Sequence, residues 1–383
     1  MDNAVKALID RIANEASRGA TQEKETMLLL LGLDPRSEET AHLIETARAF
    51  ARQASGGRAR LAGAIGIDLH SCQMNCKFCS FGEAWGLVKE ESILTEDQVI
   101  AMARAYVEAG VNMVTLRSTE FYDLNTICSW LRDIREQVPG KYELNLNVGE
   151  LTPEMAHACY EAGASSAYHV LRMREGIDTP FKPEIRVRTI QAIVDSPLKF
   201  NTCIEPIGIE HTDEEIADRM AFALSCHPDS VGIMPRVPVA GTPLGDIEMI
   251  SRDRMRQMAA ILRLAAGRNV KYITMHPDDE LGLEAGTNGF SVERGAVPRD
   301  VEFSDGEWKG LTAKRAVEIL RSAGYETELI DCDPRFRKDA SWWRPHGATE
   351  AETPSIIGED GVEYVRRDGQ RIKMKVSGKQ TVG

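Results

Sequence analysis

The stretch Leu61-Ala62-Gly63-Ala64-Ile65-Gly66-Ile67 is followed, after a short connection, by Cys72-Gln73-Met74-Asn75-Cys76-Lys77-Phe78-Cys79. The apolar run predicts a buried strand, and the three cysteines have the spacing C-x3-C-x2-C. Thiolates bind iron–sulfur clusters, and a four-iron cluster held by three thiolates keeps one iron open to a small molecule. Two other interpretations remain open: three buried structural thiols, or a zinc site with His70 as the fourth ligand.

From Leu61 onwards, strand-like and helix-like segments alternate. The later strand-like runs are 112–116, 142–147, 166–171, 199–204, 230–234, 270–275 and 289–293. Amphipathic helical runs lie at 95–109, 124–137, 152–162, 183–195, 212–225, 251–266 and 310–323. This alternation predicts an α/β fold, a parallel (β/α)8 TIM-type barrel that is closed or partly open. Functional groups of such barrels lie at the carboxyl ends of the strands, where this sequence has Cys72, Glu120, Asn147 and Cys203.

The chain is expected to have three regions. Residues 1–56 show helical spacing and are expected to form a helical cap. Residues 57–330 hold the barrel. Residues 331–383 differ in composition and are expected to form a small C-terminal appendage. Its β-hairpin would pair Val362–Val365 with Arg371–Val376 around Asp368-Gly369, and a lid over the barrel is an alternative role for this segment.

Composition limits the classes of protein that are possible. The chain has 383 residues, 43% apolar and 27% charged, as in globular proteins with a large core. Its formal net charge of −13 argues against a general nucleic-acid binder, which needs a basic surface. No run of about 18 apolar residues is present, so no membrane span is expected. The N-terminus lacks a signal-peptide pattern, and free thiols beside an oxygen-sensitive cluster imply a reducing cytoplasm.

The cysteine spacing, with aromatic Phe78 immediately before the third cysteine, resembles the signature of the radical S-adenosylmethionine (radical SAM) enzymes. This resemblance implies a 4Fe-4S cluster on Cys72, Cys76 and Cys79 that binds SAM through its amino and carboxylate groups. In that family an electron from the cluster cleaves SAM to methionine and a 5′-deoxyadenosyl radical, which abstracts hydrogen from a substrate carbon. The same resemblance implies that Phe78 packs against the adenine of SAM.

Further segments resemble the biotin synthase-like branch, which includes the iron-only-hydrogenase maturation protein and methylornithine synthase. The strand end with Ser118 and Glu120 resembles the segment that holds the methionine ammonium of SAM. Glu175 matches a glutamate that contacts SAM, and Arg188 matches an arginine that pairs with the SAM carboxylate, a planar and bidentate interaction. Two later stretches also resemble this branch. One is Gly241-Thr242-Pro243-Leu244 together with the residues before it, and the other is Glu284–Asn288.

The sequence departs from biotin synthase where that enzyme holds a second cluster, its sulfur donor. The four positions fall near Thr115, Asn145, Cys203 and His276, and only one of them is a cysteine. Threonine and asparagine are poor cluster ligands, so a second cluster is not expected. Cys203 is then a candidate hydrogen donor or substrate contact, with plain core packing as the alternative. His276 is a candidate substrate contact, and Arg236 a candidate for a substrate carboxylate or the SAM ribose.

Together these features predict a radical SAM enzyme with one cluster that acts on a small, polar or anionic metabolite. The missing sulfur-donor ligands favour rearrangement or the remaking of a C–C or C–S bond. A reductant such as ferredoxin or flavodoxin is the expected partner. Two alternatives remain open: sulfur insertion of the biotin or lipoyl synthase kind, and a cluster-binding maturation factor that makes no product itself.

Overall fold

The computed structural model describes residues 2–120, 122–277, 279–304 and 306–327, together with the backbone of three strands near the C-terminus. Three helices precede a ring of eight parallel strands. The strands are β1 (Arg60–Gly66), β2 (Met113–Arg117), β3 (Glu143–Asn147), β4 (Ser166–Tyr168), β5 (Lys199–Ile207), β6 (Ser230–Pro235), β7 (Tyr272–Met275) and β8 (Gly289–Gly295). The predicted (β/α)8 barrel is confirmed, and it is closed.

Each strand of the ring pairs with the strands before and after it in the sequence. The ring closes where β1 pairs in parallel with β8, with Arg60 opposite Gly289. Alternate residues of each strand point into the barrel. In β1 the inward positions beyond Arg60 are small, which leaves space for a central cavity lined there by Ala62, Ala64 and Gly66.

The N-terminal helices are α1 (Asn3–Ser17), α2 (Lys24–Leu31) and α3 (Glu38–Ser55). Asp2 and Ser37 cap α1 and α3 at their first turns, and Gly56 ends α3 in the left-handed conformation with a φ of 60°. Their buried faces share one apolar core with the helices that follow β5 and β6. These helices therefore cover one flank of the barrel, and none of their residues lines the central cavity.

The remaining helices are α4 (Glu96–Glu108), α5 (Leu124–Gln137), α6 (Pro153–Glu161), α7 (Pro183–Val194), α8 (Asp213–Ser225), α9 (Arg252–Ala266), α10 (Asp279–Glu284) and α11 (Ala313–Ser322). Thr95 and Thr212 start α4 and α8 with capping boxes, which satisfy N–H groups that the first turn leaves unpaired. The sequence does not predict α10, because a six-residue helix is too short to show its period. None of the described helices has the length and apolar character of a membrane span.

Paired charges close the barrel at the amino ends of its strands. Arg60 is 2% exposed, and its Nη2 lies 2.8 Å from Oδ2 of Asp229 and 3.2 Å from Oε2 of Glu143. Its Nη1 donates to Oδ1 of Asn201 at 3.4 Å, and its guanidinium lies 4.3 Å over the ring of Tyr272. The two carboxylates compensate a cation that would be very costly to bury alone. The central cavity is therefore bounded at this end.

Beyond residue 327 the structure describes β9 (Ser355–Ile357), β10 (Val362–Arg367) and β11 (Gln370–Val376). Strands β10 and β11 pair antiparallel, with Arg367 opposite Gln370, as the hairpin prediction requires. The predicted turn residues Asp368 and Gly369 lie outside the described residues, as does most of the predicted appendage.

Two buried asparagines hold β1 between its neighbours. Oδ1 of Asn288 accepts the N–H of Ile273 at 3.0 Å, and its Nδ2 donates to the carbonyls of Arg58 and Lys271, both at 2.9 Å. Asn112 bonds three backbone groups in the same way on the other side of β1. The stretch around Asn288 that resembles the biotin synthase-like branch is thus part of the barrel joint.

We expect Asn288→Ala to lower the free energy of unfolding by about 2–4 kcal/mol, because three buried backbone groups lose their partner. Asn269→Ala is the matched control, since the exposed Asn269 donates to the carbonyl of Gly19 at 2.9 Å. Urea unfolding under anaerobic conditions measures the difference from the parent protein. Equal destabilisation by both substitutions would contradict the role given to Asn288.

Candidate active site

A central cavity of about 310 Å³ extends from the barrel interior to the loops at the carboxyl ends of the strands. This volume lies at the lower end of the range for small-molecule sites, about 300–1,000 Å³. Every strand of the ring contributes to its wall. Most of the predicted site residues line it, namely Cys72, Cys76, Phe78, Cys79, Ser118, Glu120, Cys203, Arg236 and His276. Glu175 and Arg188 do not.

The loop after β1 holds the three cysteines on one side of this cavity. A two-stranded antiparallel ribbon, Asp68–Leu69 with Ser92–Ile93, joins the two ends of the loop. Within it, the N–H of Cys79 donates to the carbonyl of Cys76 at 2.9 Å. These two thiols and that of Cys72 are not disulfide-bonded and are partly exposed. The fold therefore presents three unbridged thiols to one cavity.

Lys77, between the second and third cysteines, connects this loop to two others. Its N–H donates to the carbonyl of Asp178 at 2.9 Å, and its ammonium donates to the carbonyl of Ile177 at 2.6 Å. Its own carbonyl accepts the N–H of Leu244 at 3.1 Å. Because Leu244 ends the Gly-Thr-Pro-Leu stretch, that stretch helps to position the cysteine loop.

The donor set of this loop fits an iron–sulfur cluster. Burial raises the pKa of the Cys76 thiol; Arg172 opposes this effect, and the neighbouring thiols of Cys79 and Cys72 reinforce it. Neighbouring thiolates repel one another, so all three thiols lose their protons only when a cationic centre lies among them. His70, the possible fourth zinc ligand, is not among the residues that line the cavity. Three thiols therefore fit a cluster with one open iron better than a closed four-ligand zinc site.

Ser118 and Glu120 follow β2 and face the cavity. Oε2 of Glu120 lies 3.8 Å from Nη1 of Arg186, and the Oγ of Ser118 donates to the carbonyl of Thr119 at 3.0 Å. Thr119 in turn donates its N–H to Oδ1 of Asp68 at 2.8 Å. This segment therefore brings a carboxylate and a hydroxyl oxygen to the cavity from a loop that Asp68 fixes.

The structure places Arg188, the arginine expected to pair with the SAM carboxylate, away from the cavity. This residue is exposed on α7, where its Nε lies 3.4 Å from the carbonyl of Glu184. Two residues earlier, Arg186 is 2% exposed and lines the cavity. An α-helix has 3.6 residues per turn, so side chains two positions apart lie on nearly opposite faces. The arginine that faces the cavity is therefore Arg186.

Carboxylates and an aromatic ring fix the orientation of Arg186. Its Nη1 lies 2.7 Å from Oε1 of Glu150, and its guanidinium lies 3.8 Å over the ring of Phe181. Nε2 of His169 lies 3.2 Å from both Nη1 of Arg186 and Oε2 of Glu150. Burial alone would raise the pKa of Glu150, but Arg186 and His169 outweigh burial and hold it well below its ordinary range. The Arg186 guanidinium is thus paired with carboxylates and held between protein groups.

Glu175, the glutamate expected to contact SAM, is also absent from the residues that line the cavity. Its Oε2 accepts the N–H of Arg172 at 2.9 Å and lies 3.6 Å from Nε of Arg186. Its Oε1 accepts the hydroxyl of Thr179. Because Glu175 does not line the cavity and both of its oxygens have protein partners, we interpret it as a positioning residue for the two arginines.

Cys203 lies on β5 and faces the cavity beside Tyr168 and Glu205. Burial raises the pKa of its thiol well above the ordinary value, and the Glu205 carboxylate raises it further. The same two causes raise the pKa of Tyr168. A Cβ at Gly232 would lie 2.9 Å from Sγ of Cys203, so the glycine on β6 leaves room for the thiol. Cys203 is therefore a protonated thiol in a cavity wall.

His276, at the end of β7, lies between two carboxylates. Its Nε2 is 2.8 Å from Oε2 of Glu293, and its Nδ1 is 3.3 Å from Oδ2 of Asp279. Burial by itself would lower the pKa of His276, but Glu293 and Asp279 outweigh burial and raise it to about 9. The imidazole is therefore doubly protonated, and hence cationic, at neutral pH.

Arg236 lines the cavity but is already paired, since its Nη2 lies 2.9 Å from Oε2 of Glu210. Glu210, Asp178 and His211 form a group whose ligand atoms lie within 4.8 Å of one another, close enough to hold a metal ion. However, Nδ1 of His211 accepts the N–H of Gly208 at 2.8 Å, so the neutral ring carries its proton on Nε2. That nitrogen is not available to a metal, and we interpret the group as support for Arg236.

The positions of the second cluster of biotin synthase carry hydrogen-bonded side chains here. Nδ2 of Asn145 donates to Oγ1 of Thr115 at 3.1 Å, and its Oδ1 accepts the hydroxyl of Ser166 at 2.8 Å. These polar atoms satisfy one another and include no thiolate. The arrangement is consistent with the expectation that Cys203 and His276 do not share a second cluster.

Several cavity residues are missing from the sequence-based prediction: Arg117, Tyr168, Arg172, Arg186, Glu205, Glu293 and Arg299. The alternation of inward and outward side chains along a strand could have predicted some of them. Arg117 and Glu293 lie two residues after Thr115 and Ser291, which also face inward, so the same face of each strand ends in a charge. Arg172 and Arg299 lie in loops, where no such periodicity exists.

Comparison with known proteins places the chain beside one group of enzymes. The biotin synthase of Rippkaea orientalis is 28% identical over 326 residues, which cover 76% of this chain and 83% of that enzyme. The biotin synthase of Streptomyces coelicolor is 25% identical over 84% of this chain and 79% of its own length. No protein-family model matches the chain.

Two solved structures share the fold. Methylornithine synthase superposes with a TM-score of 0.69 at 18% identity, over 82% of this chain and 96% of that one. The FeFe-hydrogenase maturase of Carboxydothermus hydrogenoformans gives a TM-score of 0.64 at 16% identity, over 83% of this chain and 78% of its own. At these identities the likeness establishes a common barrel.

The pKa of His276 leads to a pH-dependent stability. Because it rises from 6.5 to about 9 on folding, the stabilisation by the imidazolium is complete below pH 6.5 and is lost as pH rises through 9. At 1.36 kcal/mol per pKa unit, this stabilisation of the folded state is about 3 kcal/mol. We expect His276→Gln to destabilise the protein at pH 6 and much less at about pH 9.5 in urea unfolding. The exposed His157→Gln is the control, and a pH-independent effect of His276→Gln would contradict the assignment.

Proposed function

We propose that this chain, which belongs to the radical SAM enzymes in a branch similar to biotin synthase, uses a single 4Fe-4S cluster and SAM to abstract hydrogen from a small polar metabolite. The product then forms by rearrangement or by remaking of a C–C or C–S bond. One observation carries the proposal: three cysteines of one loop, none of them in a disulfide, line a cavity that the ion pairs of Arg60 bound at its far end. A reactive species formed beside them meets only what the cavity holds.

When bound, the cluster and SAM supply the electron transfer that yields methionine and a 5′-deoxyadenosyl radical. The residues of the chain bind and orient. Arg186 is suited to the SAM carboxylate, because its guanidinium is fixed by Glu150 and still faces the cavity. Glu120 and Ser118 offer oxygens to the SAM ammonium, and the ring of Phe78 lines the cavity where it can pack against adenine.

Cys203 is the residue that we assign to the substrate. Its thiol keeps its proton, because burial and Glu205 both disfavour the thiolate. A protonated thiol can donate a hydrogen atom to a carbon radical or a hydrogen bond to the substrate. His276 and Arg236 are further candidates for substrate contact, although Glu210 already occupies one edge of the Arg236 guanidinium.

Sulfur insertion remains the alternative reaction, and the side chains give it little support. It would need a sulfur source other than a second cluster held by Thr115, Asn145, Cys203 and His276, because the first two bond to each other. A maturation factor that binds the cluster without turnover is the alternative of another class. The experiments below separate these functions.

We further infer a low-potential electron donor such as ferredoxin or flavodoxin and a reducing cytoplasm. The support is chemical, because the three cluster thiols must stay reduced to hold iron. The net charge of −13 offers no support for a nucleic-acid partner.

Anaerobically reconstituted protein should bind about four irons per chain and release 5′-deoxyadenosine from SAM with dithionite. Alanine at Cys72, Cys76 and Cys79 together should abolish both, whereas Cys226→Ala, the control at a free cysteine outside the cavity, should change neither. Iron analysis and chromatography measure these outcomes. About eight irons would favour sulfur insertion, and SAM binding without deoxyadenosine for any substrate would favour the maturation factor.

Arg186→Gln should weaken SAM binding by roughly 30-fold or more, since removing one partner of a buried charge pair costs about 2–5 kcal/mol. Arg188→Gln, on the exposed face of the same helix, should leave it unchanged. Equilibrium binding to the anaerobic protein measures both affinities, and iron content checks that each variant is loaded. Arg186→Lys tests the fork geometry with the charge retained. Equal losses at the two positions would exclude Arg186 as the carboxylate site.

A further inference from the structure

The cavity contains two separate groups of cationic side chains. The first consists of Arg172 and Arg186, which Glu175 positions near Cys76. The second lies where β2, β7 and β8 end, and we call it the β8 cationic site. It consists of Arg117, His276 and Arg299 around Glu293.

The β8 cationic site keeps an excess of positive charge. Glu293 is 4% exposed and accepts from Arg117, Arg299 and His276. Burial would raise the pKa of Glu293, but Arg299, Arg117 and His276 outweigh burial and hold it well below its ordinary range. Asp279 supplies a second carboxylate from the far side of His276. Within this buried site three cations thus share two carboxylates, and Glu205, a further carboxylate of the cavity, lies beside Cys203, on which Arg299 also acts.

One donor of this site has no partner among the residues that the structure describes. The Nε of Arg299 is buried and has no hydrogen-bond acceptor within the described part of the chain. The guanidinium lies 4.7 Å over the ring of Trp308, which also lies 6.2 Å from the imidazole of His276. Trp308 and Glu293 therefore hold both cations in place. A buried N–H without an acceptor costs about 1–3 kcal/mol, and the Nε atoms of Arg186 and Arg294 share this condition.

SAM carries one carboxylate, and the proposed function assigns that carboxylate to Arg186. The β8 cationic site is therefore left for an anionic group of another molecule. We propose that Arg117, His276 and Arg299 form the subsite for an anionic group of the substrate, a carboxylate or a phosphate. This inference rests on the proposed function for the identity of the first anion. An arginine fork beside an imidazolium suits the planar oxygen pair of a carboxylate and the oxygens of a phosphate.

The cavity wall below this site defines the rest of the substrate class. Most of its inward side chains are uncharged and hydrogen-bonding: Thr115, Asn145, Cys203, Thr274 and Ser291. Such side chains accept hydroxyl and amide groups, and the Glu205 carboxylate beside Cys203 can accept from a hydrogen-bond donor of the substrate. The substrate is therefore a small hydroxylated or amide-bearing acid, or a phosphate ester of similar size, bound by its anionic end.

The test is anion binding to the reconstituted holoenzyme with SAM present. The probes are acetate, malonate and inorganic phosphate at constant ionic strength, followed by thermal unfolding and by calorimetry. We expect saturable binding to the parent protein and at least tenfold weaker binding to Arg299→Gln. Arg294→Gln is the matched control, because Arg294 lies on β8 but pairs with Glu307, 2.5 Å away. Arg299→Lys is the second variant if the glutamine variant does not fold.

Preference for phosphate over the carboxylates would identify a phosphate ester, and the reverse an organic acid. Three results would overturn the subsite: no saturable binding to the parent protein, equal affinity in Arg299→Gln, or a loss of SAM affinity in that variant as large as its loss of anion affinity. The last would assign the β8 cationic site to SAM.

The two proposals fail separately. Anion binding without SAM cleavage overturns the proposed function alone. SAM cleavage with an anion affinity that is insensitive to Arg299 overturns the subsite alone.

Discussion

The ion pairs of Arg60 are the interaction on which the interior of this barrel depends. They join β1, β3 and the segment before β6 at one end of the ring, and they compensate a fully buried cation. A barrel interior normally fills with side chains in layers. Here the lowest layer is ionic, the next is neutral and hydrogen-bonding, and the upper layer is ionic again. Space remains between the two ionic layers, and this space is the cavity.

The upper layer differs from the lower one in how its arginines are paired. Arg60 has acceptors on both sides, whereas Arg299 keeps a buried N–H without one among the described residues, and Arg186 faces the cavity from within its carboxylates. Side chains locked by other protein groups lose little freedom when a ligand arrives. The upper layer is therefore organised for anions before any is bound, because Glu150, Glu175 and Glu293 hold the arginines in place.

The sequence could predict the ring because its information is local. Alternating periods of strand and helix mark all eight strands within a few residues, and the cysteine spacing marks the loop after β1. The site was less predictable where helical phase matters, as with Arg188: a shift of two residues reverses the face of α7. It was also less predictable in loops, since Arg172 and Arg299 owe their positions to Glu175 and Glu293, which only the fold brings near.

The joint between β1 and β8 links folding to ligand binding. Arg60 and Gly289 pair directly although most of the barrel sequence separates them, so this contact carries the greatest loop-closure entropy in the ring. The cysteine loop meets the segment after β8 across this joint, where the N–H of Ser80 donates to the carbonyl of Pro298 at 3.0 Å. A ligand that touches both sides binds only the closed ring. By mass action such a ligand then stabilises the native state, so its concentration sets how much of this chain stays folded.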